Sequence, residues 1–156
     1  GCSRAVGQGA QEQAVKYLLD ANILSELLRP RPDPLVAALA RAHEAVCVTS
    51  SVVYLELWSG VELVGDSARG RYLRDGYQRM FGIGRLQVLP FDTEAARWLA
   101  RERARLAAAG RPPPLLDGQI AATAATRNLI LVTRNTRDFG CFDGLSLENW
   151  FVAGKE

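Results

Sequence analysis

Five oxygen-bearing side chains in this sequence stand where paired acids could do chemistry. Asp20 ends the apolar run Tyr17-Leu18-Leu19, and Glu56 sits amid the apolar residues between Val52 and Val61. Asp117 follows Leu115-Leu116, while Asn135 and Asp138 come just after Leu129-Ile130-Leu131-Val132-Thr133. Carboxylates brought close together repel, and they are tolerated only with a shared proton or a cation. Oxygen ligands without His or Cys select hard cations, Mg²⁺ or Mn²⁺. Such ions chiefly activate water and neutralise phosphate charge, so the chemistry on offer is phosphodiester hydrolysis or phosphoryl transfer. Each residue also has an ordinary structural use. Asp20 suits a helix N-cap, Asp117 complements a helix dipole, Glu56 reads as an exposed helix residue, and Asn135 and Asp138 form turns.

What decides between these uses is whether the chain brings the five together. Val15, Tyr17, Leu18 and Leu19 read as a short buried strand, and residues 22–28 have helical spacing. Asp33 is a natural N-cap with Pro34 at the first helical position, and Leu35, Val36 and Leu39 give that helix its apolar stripe. Residues 46–49 predict a second strand, after which Ser50 or Ser51 caps the helix carrying Glu56. Residues 67–81 look helical but broken by Gly70 and Gly76. Residues 86–89 predict a third strand, Asp92 opens a long helix over 93–109, and Gly110 stops it. A stiff Arg111-Pro112-Pro113-Pro114 connector leads to a helix over 115–124, rich in small residues. Residues 129–133 make the clearest strand, residues 134–139 a polar loop, and residues 145–147 a weak last strand.

Strands separated by helices argue for an α/β sandwich on a parallel sheet. In such a sheet all strand carboxyl ends face one rim, and ligands bind in the crevice outside them. Asp20, Asn135 and Asp138 would share that rim. A helix entering a strand runs antiparallel to it, so Asp117 near the start of its helix lies there too, as does Glu56 early in its own.

Composition narrows the field further. A chain of 156 residues, 48% hydrophobic and 23% charged, is read as one globular domain over residues 15–152. Residues 1–14 are unpatterned and taken as a flexible leader, and residues 153–156 as a tail. No apolar run is long enough to span a bilayer. Net charge is only +2, yet Lys16 and Lys155 are the sole lysines and every other basic residue is arginine, the better phosphate ligand. Clusters at Arg69, Arg71 and Arg74 and at Arg101, Arg103 and Arg105 could track a nucleic-acid backbone, or serve as solvated helix faces. Cys2, Cys47 and Cys141 build neither a disulfide framework nor a zinc site, which fits a reducing, cytoplasmic location. His43, the one histidine, has no Ser or Cys motif near it and reads as a surface residue.

Four motifs in order now resemble a known family: residues 19–26 (LDANILSE), 55–60 (LELWSG), 116–124 (LDGQIAATA) and 132–139 (VTRNTRDF). Together they resemble the PIN-domain ribonucleases, and among these the VapC or FitB-type toxins of bacterial toxin–antitoxin pairs, from about Tyr17 to Phe151. The resemblance implies a three-layer α/β/α fold with a central, mainly parallel sheet and an acidic pocket for Mg²⁺ or Mn²⁺. It matches the family's acids to Asp20, Glu56 and Asp117, and its fourth acidic position to Asn135. That last is a departure: an amide oxygen ligates a hard cation but adds no charge, and Asp138 supplies it if the loop turns back.

The implied reaction is hydrolysis of RNA, structured RNA such as tRNA in particular, with a cation held mainly by Asp20 and Asp117. Glu56 would bind the ion's waters or act as base. Asn22 and Thr133 would orient the carboxylates, and Arg134 and Arg137 would hold the flanking backbone. The same resemblance implies a homodimer, a small antitoxin that blocks the pocket, and DNA binding through the antitoxin alone. Two other readings compete. A phosphatase with a strand-end Asp nucleophile would want a second acid at position 22, where Asn stands, and a lysine near the site. A non-catalytic RNA- or partner-binding module is the alternative that Asn135 leaves room for.

Overall fold

In the computed structural model, which describes residues 14–151, the strands are short and the site elements follow from them. The order is β1 (Tyr17–Leu19), α1 (Ala21–Leu27), α2 (Pro34–Ala42), a single 3-10 turn, then β2 (Cys47–Ser50), α3 (Ser51–Val64) and α4 (Ala68–Met80). There follow β3 (Gln87–Leu89), α5 (Thr93–Ala108), α6 (Leu115–Ala125), β4 (Ile130–Val132), α7 (Thr136–Phe139) and β5 (Ser146–Glu148). All five strands are parallel, in the order β3-β2-β1-β4-β5. The chain winds outward from β1 to β3, then crosses back to β4 and β5. With right-handed crossovers the two directions of travel place their helices on opposite faces, giving the expected three layers. The strand order reverses between β1 and β4, and Asp20 stands at that switch point.

Central and edge strands differ in the way their sequences imply. Tyr17, Leu18 and Leu19 of β1 and Leu131 and Val132 of β4 are all buried, whereas β3 and β5 at the edges are partly open. Leu18, Val48 and Leu131 form the middle of the sheet, and Ile23, Val53, Val61, Ile120 and Ala124 pack near them from the helices. Helix starts follow side-chain chemistry: Asp33 accepts from the amides of Leu35 and Val36, Ser50 from Val53 and Asp92 from Ala95. Gly110, at φ +73°, follows α5 as a left-handed stop.

Four expectations need correcting. Helix α4 runs unbroken through Gly70 and Gly76: a Cβ at Gly70 would lie 1.9 Å from the Gly65 carbonyl oxygen, and one at Gly76 2.8 Å from Leu28. These glycines are there for close approach, not as breaks. The loop after β4 contains the four-residue helix α7. Val15 lies outside β1 and is exposed. His43 is no free surface residue, since its ring packs 4.9 Å from Tyr17 and 5.9 Å from Trp150. The leader and tail readings lie almost wholly outside the described residues. Among those described, no helix is long and apolar enough to cross a membrane.

Candidate active site

Parallel pairing sets the site's registry. Leu19 pairs with Val132, so the next residues, Asp20 and Thr133, emerge side by side at the carboxyl rim. The Asp20 amide continues the ladder by donating to the Val132 carbonyl at 3.0 Å. Its side chain, only 4% exposed as a residue, is gripped by three donors: the Ala21 amide at 2.8 Å, the Thr133 hydroxyl at 2.7 Å and the Asn22 amide group at 3.3 Å. The N-cap role is therefore real. It engages mainly one oxygen, Oδ1, while Thr133 and Asn22 both address Oδ2. Burial pushes the Asp20 carboxyl above its usual range, and these three hydrogen bonds pull back against it.

Thr133 is fully buried and its hydroxyl is a junction. While donating to Asp20 it accepts from the Asn135 amide at 3.0 Å and lies 3.4 Å from the Asn22 side-chain nitrogen. Asn22 in turn accepts from the Arg134 amide at 3.1 Å. The segment after β4 is thereby tied to the start of α1, within touch of Asp20.

Glu56 projects from the second turn of α3, and Asp117 from the first turn of α6. Burial, then the charges of Asp20 and Asp117, raise the Glu56 carboxyl from 4.5 to about 7. Burial, then Asp20 and Asp138, raise Asp117 as well. Asp20, Glu56 and Asp117 thus feel one another's charge, Asp138 acts on Asp117 alone, and none of the four makes an ion pair among the described residues. Asn135 is exposed and its side chain caps nothing, although its backbone begins α7. Asp138, within α7, is also exposed, and its charge is the last of the three causes that raise Asp117.

A divalent cation fits the chemistry of this donor set, which is all oxygen: three carboxylates at the rim, with the Asn135 amide and Asp138 beside them. Among the described residues, no three His, Cys, Asp or Glu side chains are yet gathered in a ligating arrangement.

The arginines divide. Arg71 pairs with Asp66 at 3.1 Å, Arg74 with Glu62 at 3.5 Å, and Arg105 with Glu102 at 2.6 Å and Asp143 at 3.3 Å. Both sequence clusters are thus partly engaged with carboxylates of their own surface. Arg134 and Arg137 are exposed, and no ion pair engages either among the described residues.

A family model described as PIN domain matches residues 17–144. The chain belongs to the PIN domain family. This PIN chain is 34% identical to the tRNA(fMet)-specific endonuclease VapC of Shigella flexneri, over 87% of the chain and 98% of that protein. To Toxin FitB of Neisseria gonorrhoeae it is 32% identical, over 85% of the chain and 97% of that protein. The solved DNA-bound VapBC of Salmonella typhimurium superposes with a TM-score of 0.73 at 31% identity, covering 87% of the PIN chain and 98% of that one. The VapC/FitB kinship read from four motifs therefore extends over nearly the whole fold.

Two features of the PIN site had no signal in the sequence. Thr49, fully buried, donates to the Leu19 carbonyl at 2.7 Å and pins the strand end just before Asp20. Phe151 lies under the Arg134 guanidinium, 4.4 Å from ring centre to Cζ. A buried strand threonine and an aromatic near the chain end have many uses, and only the folded arrangement singles these out.

Proposed function

We propose that this protein is a Mg²⁺- or Mn²⁺-dependent endoribonuclease, the toxin of a toxin–antitoxin pair, acting on structured RNA such as tRNA. The observation that carries this reading is the acid at the switch point, Asp20, with Glu56 early in α3 and Asp117 in the first turn of α6 and no ion pair to any of them among the described residues. When bound, the cation supplies neutralisation of the phosphate and a lowered pKa for the attacking water. Asp20 and Asp117 would hold it, with Asn135 and Asp138 as further oxygen donors. Thr133 and Asn22 fix the Oδ2 oxygen of Asp20 so that the carboxylate does not rotate away. Glu56, poised near neutrality, accepts the proton of the water that attacks phosphorus. As that P–O bond forms, the bond to the leaving ribose oxygen breaks. Arg134 and Arg137 bind phosphates on either side.

Support for RNA as substrate comes from the endonuclease name of the Shigella relative, and support for an antitoxin from the two-component VapBC assembly. On this reading the antitoxin covers the acidic rim and carries any DNA contact. The chain itself pairs as a homodimer, and its free Cys47 and Cys141 suit a reducing cytoplasm.

The test is cleavage of total bacterial RNA with and without Mn²⁺ or Mg²⁺, beside the Asp117→Asn variant. Cuts at defined sites that need the metal and vanish in the variant are expected. RNA binding without cleavage under every metal condition would instead identify a binding module.

A further inference from the structure

Arg134 is restrained in a way the chain's paired arginines are not. Arg29, Arg71, Arg74, Arg105 and Arg127 each face a carboxylate, which fixes the side chain but cancels its charge. Arg134 lies over an aromatic ring instead, and its side chain has no carboxylate partner among the described residues. A ring face holds a guanidinium by cation–π attraction and leaves its charge and edge N–H donors available to an anion. The ring packs against the core, and its backbone is held by the Phe151 amide donating to the Asn149 side chain at 3.0 Å, a local turn just beyond β5. At its backbone, Arg134 is bonded to Asn22, which reaches Asp20.

We propose that Phe151 is a positioning residue for substrate. It holds Arg134 as the contact for an RNA phosphate flanking the scissile one, so that the bound strand leaves the acidic rim across the β4–β5 side of the sheet. An RNA phosphate is favoured over an acidic protein side chain because Arg134 is tied through Asn22 to the acid that holds the cation. Its backbone is thus held beside the reacting centre. A bidentate arginine on a phosphodiester also needs the planar edge that stacking leaves open. The inference rests on the ribonuclease reading above.

The experiment is steady-state cleavage of an RNA substrate by the full chain at several salt concentrations. The variants are Arg134→Ala, Phe151→Leu, Phe151→Tyr, and Arg134→Ala with Phe151→Leu. Leucine keeps the bulk without the π face, and tyrosine keeps both, which separates packing from stacking. Phe151→Leu is expected to raise KM about threefold, more than it lowers kcat, with Phe151→Tyr near wild type. Arg134→Ala should raise KM further and reduce the salt slope by about one. The double variant should match Arg134→Ala alone. Equal KM for wild type and Phe151→Leu overturns the proposal, as do additive effects in the double variant. So does a loss confined to antitoxin binding. If the wild type cleaves no RNA, the ribonuclease reading fails by itself. Anisotropy with the same RNA still decides this inference, since equal affinities of wild type and Phe151→Leu overturn it.

Discussion

Two groups of buried or half-buried acids in this molecule are treated in opposite ways. Glu102, only 7% exposed, receives two hydrogen bonds from Arg105 and one from the Asp143 amide, and its carboxyl is held below the usual range. Glu26, also buried, accepts from Arg29 and from the Asp33 amide. Across the sheet's rim, Asp20, Glu56 and Asp117 have no such cation among the described residues, and all three are pushed upward. A buried acid that serves the fold is matched by donors from its own neighbourhood. The rim acids have no such ionic partner among the described residues, which is the arrangement the proposed cation site requires.

The largest expected effect tests that contrast at its centre. Asp20→Asn and Asp117→Asn should each reduce cleavage on the order of 10³-fold or more. Asp20→Asn turns an amide nitrogen towards the Thr133 and Asn22 donors and should lower the temperature of thermal unfolding. Asp117→Asn should leave it unchanged or slightly raised, because repulsion is relieved. Glu102→Ala should do the reverse: it strands the Asp143 amide and destabilises the chain by about 1–3 kcal/mol in denaturant titration. If Glu102→Ala silenced cleavage without destabilising the protein, the division between the two groups would be wrong.

Next in size is the Thr133 hydroxyl, the one group that touches Asp20 and the start of α7 together. Thr133→Val should lower cleavage about 10- to 100-fold, and Thr133→Ser should restore most of it. A valine variant with wild-type kcat would remove Thr133 from the site.

The third test is pH. Glu56 titrates at about 7 in the fold against 4.5 unfolded, so the folded chain binds the extra proton between those values. Its contribution to stability is present below 4.5 and lost as pH rises through about 7. Melting temperatures in chelator should therefore fall over that window, and Glu56→Gln should flatten the fall. Mg²⁺ or Mn²⁺ should oppose it by favouring the ionised carboxylates.

Smallest is Asn135→Asp, which returns a charge to the fourth position. Calorimetry should show a modest gain in cation affinity, and Asp117 should titrate higher still without the ion. An unchanged affinity would leave Asp138 as the outer acid.

Much of the fold was legible because its signals are local. Asp33 before Pro34, Ser50 before an apolar run, and Asp92 with Gly110 mark helix ends by side-chain chemistry alone. That the segments bearing Asp20, Glu56 and Asp117 reach one rim was legible from topology, since parallel strands share a rim. What escaped depends on partners distant in sequence. Gly76 reads as a helix breaker until Leu28 is seen against it, and His43 as a surface group until Tyr17 and Trp150 flank it. Residues 136–139 make one short turn of helix, too brief to leave a periodic trace.

The pairing of β1 with β4 has a consequence in time. Asp20 and Thr133 touch across 113 positions of sequence, and Asp117 also arrives late. A ribosome must release most of the polypeptide before the acids can meet, because a three-residue strand such as β1 has little order without neighbours. On the proposed reading the site stays incomplete until β4 has been made, which leaves an inhibitor that is already present the first chance to bind.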